Sequence, residues 1–194
     1  MAGEERRVER GKLFEEWAYV LDYLPRGRIG ISRPMFRARP IIQLIGEDHF
    51  TLLEAVPKIG SIPRVGERTY TGRDETKRDI GHIIGRIGSD ELSSNAKNEL
   101  PNVISTIVRK QESRFVSFFN EATALTPKMH ALELLPGVGK KMMWEIIRQR
   151  EMRPFESFKD VSERTGISDV VKLLVKRIHS EIMSWETKRK LFAR

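Results

Sequence analysis

Cysteine is absent from the 194 residues, and with it go disulfides, thiolate metal ligands and thiol nucleophiles. Such a chain suits a reducing compartment, and the cytoplasm is its expected location. No apolar run approaches the ~20 residues that a membrane-spanning helix needs, so no membrane association is expected. Residues 1–15 lack the apolar centre of a secretion signal; Glu4, Glu5, Arg6, Arg7, Glu9 and Arg10 make them a charged flexible tail. Histidine is scarce, and His49, His82, His130 and His179 share no ligand-like spacing, so neither a metal nor a cofactor is expected. A P-loop and a paired-carboxylate metal motif are missing as well.

What is present is enough apolar residue for a core, 39% of the chain, under an excess of positive charge. The 35 Lys and Arg against 27 Asp and Glu leave a formal net charge of +8, which makes a polyanion the natural partner class. Charge alone does not separate a nucleic-acid binder from a merely basic protein, so the position of the charges has to decide.

The texture of the chain changes at Gly88. Before it, short apolar or alternating runs at residues 17–21, 41–45, 50–56, 68–70 and 82–87 are separated by Gly and Pro and predict five strands. Over residues 16–88 that count fits a small OB-like β-barrel. After Gly88, apolar residues recur every three or four positions. A helical connector is expected over residues 89–124, with Ser89 as N-cap and a second helix from Pro101. On that helix Ile104, Ile107, Val108, Phe115, Phe118 and Phe119 form a stripe best read as core. Thr126-Pro127 predicts a further helix start. The fold class is therefore α+β: a barrel, a helical connector, a helical C-terminal module over 125–183 and a basic tail over 184–194.

The most informative segment is Leu134-Leu135-Pro136-Gly137-Val138-Gly139-Lys140-Lys141, a Gly-X-Gly turn leading into an amphipathic helix. Glycine permits positive φ and a close approach to the main chain. The first amides of the new helix lack intrahelical acceptors and sit at the positive end of its dipole, where a phosphate can satisfy them. The stretch resembles the helix-hairpin-helix motif of DNA- and RNA-binding proteins, whose hairpins read Leu-Pro-Gly-Val-Gly followed by a basic residue. A second copy is expected at Arg164-Thr165-Gly166-Ile167-Ser168, reached through a linker in which Ser157 and Asp160 have capping-box spacing. Ser168 replaces the second glycine there, and Met143 in the first copy stands where the motif has a small residue. Candidate contacts in this tandem module are Gly137, Val138, Gly139, Lys140, Lys141, Arg148, Gly166 and Ser168.

Between Asp22 and Glu47 there is no acidic residue, yet Arg26, Arg28, Arg33, Arg37 and Arg39 all fall there, in the expected loop between the first two strands. Guanidinium groups grip phosphate bidentately and stack on bases, so these five form a second candidate surface. The plain alternatives are a solvated loop or a segment docking on the acidic face of the chain's own C-terminal helices.

End to end, the order of barrel and tandem hairpins resembles an archaeal family of unknown function described as putative RNA-binding. The resemblance implies a non-enzymatic protein and favours RNA over DNA. The expected function is backbone gripping without strong sequence specificity. One competing reading is a protein-docking adaptor in a ribosomal or transcriptional assembly. Another is a DNA-repair enzyme of glycosylase type, for which Asp160 is the nearest candidate acid.

Overall fold

A computed structural model describes residues 14–27, 39–184 and 189–194. Five strands, β1 (Trp17–Leu24), β2 (Ile41–Gly46), β3 (Leu52–Pro57), β4 (Arg68–Tyr70) and β5 (Ile80–Arg86), form one antiparallel sheet in the order β4-β1-β2-β3-β5. All five lie where the alternating runs predict them.

The sheet is apolar on both faces. Ala18 and Val20 of β1 join Ile42, Leu44, Leu53, Ala55 and Ile80 in one cluster, while Tyr19, Leu21, Ile45 and Leu52 turn toward the helices. Irregular pairing at Val20/Asp22, Glu54/Ala55 and Val56/Pro57 bends the strands, and the sheet curls into a half-barrel around the first cluster.

Five α-helices follow: α1 (Ser94–Lys110), α2 (Glu112–Glu121), α3 (Lys140–Met152), α4 (Phe158–Thr165) and α5 (Val170–Met183). Between α2 and α3 lies a short hairpin, β6 (Ala124–Thr126) and β7 (Met129–His130). Polar residues fasten sheet to helices. The buried Gln43 donates to Glu54 and to the Glu91 carbonyl and accepts from the Ser93 amide, while the Ser93 hydroxyl donates to Asp22 at 2.6 Å.

Three helical expectations are corrected. Ser89 begins only a single 3-10 turn, and α1 is capped by Ser93, whose side chain accepts from the Ala96 amide. Pro101 lies inside α1 and does not start a helix. Proline costs a helix interior about 3 kcal/mol, but Ala96, Leu100, Val103, Ile104, Ile107 and Val108 bury one continuous face across it, and that packing prevails. Pro127 with Lys128 makes the turn of the β6–β7 hairpin. The apolar stripe is core: Ile104, Ile107, Val108, Phe115 and Phe119 are buried, with Phe118 packed beside them.

Residues 191–194, expected within a basic tail, are seated on the core. The wholly buried carboxylate of Glu181 accepts from the amides of Leu191, Phe192 and Ala193 at 2.8–2.9 Å and pairs with Arg177 at 2.6 Å. Phe192 thereby packs against Phe115 and Phe118. Glu15 plays a similar part at the other end, accepting from the amides of Asp48, His49 and Thr51.

Candidate nucleic-acid interface

The first hairpin is held by its buried apolar residues and left open at its glycines. A 3-10 turn, Ala131–Leu134, enters it, and Leu132, Leu135 and Val138 are buried in the core with Met143 and Ile146 of α3. Gly137 has φ +83°, the left-handed region that favours glycine. Gly139 differs: its backbone is extended, with φ −84° and ψ 179°, and a Cβ built there would meet nothing within 4 Å. Neither dihedral nor crowding requires glycine at 139.

That glycine leaves α3 without a side-chain cap, whereas Ser93, Ser157 and Asp169 cap α1, α4 and α5. The first helical bond joins the Met143 amide to the Gly139 carbonyl at 2.9 Å, so the amides of Lys140, Lys141 and Met142 have no acceptor within the helix. Gly139, Lys140 and Lys141 are exposed. Val138, expected as a contact, has another part to play. Its amide donates to the Leu135 carbonyl at 3.1 Å and its side chain is 5% exposed, so it anchors the turn.

The second hairpin is closed where the first is open. Gly166 ends α4 at φ +78°, Ile167 is buried, and the Ser162 hydroxyl donates to the Ile167 carbonyl. Ser168, which stands in place of the motif's second glycine, is exposed and does not cap α5; the Asp169 carboxylate accepts from the Lys172 amide at 2.8 Å. A carboxylate at that helix start already meets the dipole and opposes a second anion. The two turns face each other across a cleft of about 360 Å³, with Gly137 and Val138 on one wall, Gly166 and Ser168 on the other, and Lys172 and Lys176 along α5.

The linker is a network of charges. Asp160 pairs with Arg153 and Arg164 at 3.1 Å each and accepts from the Glu156 amide, while the Ser157 hydroxyl accepts from the Asp160 amide, one half of the expected capping box. Burial pushes the Asp160 carboxyl up, but the Glu156 amide and the two guanidinium groups outweigh it and hold the pKa below its ordinary value. Arg164 also lies over the Phe155 ring at 4.6 Å and donates to the carbonyls of Gln149 and Arg153. Arg148 is two turns along α3 and forms an ion pair with Glu145 at 2.7 Å, so its charge is partly spent there.

Arg26 and Arg39 are exposed at the two ends of the β1–β2 connection, and neither lines the cleft. Arg28, Arg33 and Arg37 lie outside the described residues. Arg68 and Arg78, further along the chain, are engaged with Glu47 and Glu75.

Sequence reasoning missed Lys172 and Lys176 on the cleft edge and the groove beside α3 in which Trp144 stands 64% exposed. The spacing of Trp144 from Lys140, one helical turn, was the available signal. Among the described residues no group of three His, Asp or Glu could hold a metal ion, and no described helix is long and apolar enough to cross a membrane.

Fold and site together define an α+β protein in which a curled five-stranded sheet carries a helical module whose α3 starts at an exposed glycine without a side-chain cap. The family known as protein of unknown function DUF655 matches residues 14–194, and the chain belongs to it. It is 45% identical over 170 residues to the uncharacterized protein MJ0038 of Methanocaldococcus jannaschii, covering 87% of this chain and 75% of that one. The crystal structure of Af1531 from Archaeoglobus fulgidus superposes with a TM-score of 0.83 at 47% identity, over 93% of this chain and all of that one. The family's function is unknown and these two relatives are archaeal, as expected from the sequence.

Proposed function

We propose that this protein binds the sugar-phosphate backbone of nucleic acid, RNA in preference to DNA, without catalysing a reaction on it, and that the start of α3 is the principal contact. The observation that carries this reading is Gly139. Nothing inside the molecule calls for a glycine there, and Ser, Thr, Asp or Asn would cap the helix. Glycine instead leaves three amides and a positive dipole end open beside Lys140 and Lys141, an arrangement suited to a phosphate oxygen. The turn on each side of the cleft supports a tandem helix-hairpin-helix reading, in which the first copy grips and the second, closed by Asp169, supplies a wall and the ammonium groups of Lys172 and Lys176. The five antiparallel strands, with β4 and β5 as open edges, fit a partly open OB-like barrel. Engagement of Asp160 with two arginines and a backbone amide suits a structural tie, and so weighs against a glycosylase-type acid.

Binding is expected to weaken steeply with salt, because each neutralised phosphate releases counterions; for a single strand log K falls by about 0.7 per phosphate per unit of log salt. The charge reversal Lys140→Glu with Lys141→Glu is expected to abolish binding to a short RNA while circular dichroism shows the fold intact. Affinity that stays flat from low to moderate salt would refute backbone gripping.

A second reading, protein docking in a ribosomal or transcriptional assembly, is favoured by the β3–β4 connection, where Ile59, Ile62 and Val65 are all exposed. It predicts that the double reversal leaves assembly intact, whereas Ile59→Asp with Ile62→Asp destroys it, as read by co-sedimentation with the assembly.

A further inference from the structure

Beside the start of α3 lies a groove of about 470 Å³ between that helix and the β6–β7 hairpin. Trp144 and Ile147 form its helical wall, Thr126, Lys128 and Met129 the facing one, and Lys140 stands at the end where α3 begins. The volume falls within the roughly 300–1,000 Å³ of small-ligand sites. Trp144 is 64% exposed and Met129 37%. Among the described residues no ring or cation is stacked on the indole: the aromatic pairs and cation contacts all involve other rings. The acid in the groove, Glu133, is turned to its own backbone, accepting from the His130 amide at 2.8 Å.

An exposed flat apolar surface between two ammonium groups fits a planar ligand flanked by negative charge. We propose that this groove takes an unpaired nucleobase, stacked on Trp144, from a strand whose phosphate sits at the start of α3. The proposal rests on the backbone reading above and adds to it a preference for single-stranded nucleic acid. Continuity supports it: Lys140 belongs both to the helix start and to the groove, and Trp144 follows four residues, ~6 Å of helix rise, further along the same face. The π-face of any base stacks on an indole, so the site sets strandedness and not sequence. Lys128, in the hairpin turn, stands on the opposite wall to meet the next phosphate.

The test compares the full chain and its variants on three probes of equal length: a single-stranded oligoadenylate RNA, an abasic ribose-phosphate oligomer and a blunt RNA duplex, read by fluorescence anisotropy. The unsubstituted protein is expected to bind the single strand more tightly than the abasic oligomer. Trp144→Ala is expected to weaken the single strand by about tenfold, within what one base-aromatic stack contributes, and to leave the other two unchanged. Trp144→Phe is expected to recover most of the loss. Since Trp144 is largely exposed, thermal melting of the Ala variant should match that of the parent. No loss with Trp144→Ala, or an equal loss on all three probes, overturns base stacking while leaving backbone gripping in place. Failure of the parent to bind any of the three defeats the backbone reading, and this proposal with it.

Discussion

Gly137 and Gly139 are the same residue used for different reasons. At φ +83° Gly137 relieves a steric cost of roughly 1–2 kcal/mol that an L side chain would meet, and Gly137→Ala is expected to lower the melting temperature. Gly139 relieves no such cost, which is why it reads as a binding residue and Gly137 as a folding one. His130 offers a different single-residue test. Its Nδ1 accepts from the Leu132 amide, so the neutral ring caps the turn that enters the hairpin. Burial, then the nearby Arg150, lower its pKa against the opposing pull of Glu133, and burial lowers that of His179. Folded, both bind protons less readily than unfolded. Their contribution is whole above the unfolded value of about 6.5 and is lost as the pH falls through the folded values. The melting temperature is therefore expected to drop between about pH 7 and pH 5, and His130→Asn should flatten that drop. The lowered carboxyls of Asp74, Glu145 and Asp160 act only at more acidic pH. A melting temperature that does not change across this range would count against the assignment.

At the scale of elements, what was legible in the sequence was local. Alternation of apolar and polar residues revealed β1 to β5, and β4 has the bounds read from Arg-Thr-Tyr alone. The turn before α3 showed through because Leu-Pro-Gly-Val-Gly concentrates its signal in five residues. The β6–β7 hairpin did not, since strands of three and two residues have no period to read, and a Thr-Pro pair serves a turn as well as a helix start. Asp169 and not Ser168 caps α5, because its carboxylate reaches the Lys172 amide. Nor could the roles of Glu15 and Glu181 be foreseen: both are buried acids whose amide partners lie at least ten residues away. Glu181→Ala would strip acceptors from three amides and leave the half-buried Arg177 guanidinium without a counter-charge. A loss of about 3 kcal/mol or more is expected, together with rapid proteolysis of the C-terminal residues. A variant as stable and as protease-resistant as the parent would refute the latch.

At the scale of the whole molecule, one apolar cluster runs from Tyr19 and Leu21 of the sheet through α1 and α2 to Val138, Leu174 and Phe192. The hairpins are therefore mounted on a body and not strung from it. A rigid mount keeps the cleft walls and the Trp144 groove in fixed relation, which a backbone-gripping surface needs if phosphates are to be met at more than one place. Exposed Trp144 escaped the sequence reading because apolar residues on amphipathic helices are ordinarily core, and only the assembled molecule shows which are left outside. The central claim is that the open amides at the start of α3 hold phosphate, and Gly139→Asp tests it most directly. The backbone there already has N-cap geometry, so the new carboxylate is expected to cap the helix and keep stability level or raise it by about 0.5 kcal/mol. By filling the anion seat, the same substitution should abolish binding to RNA. RNA affinity equal to that of the parent, in a variant whose melting shows the cap has formed, would contradict the account.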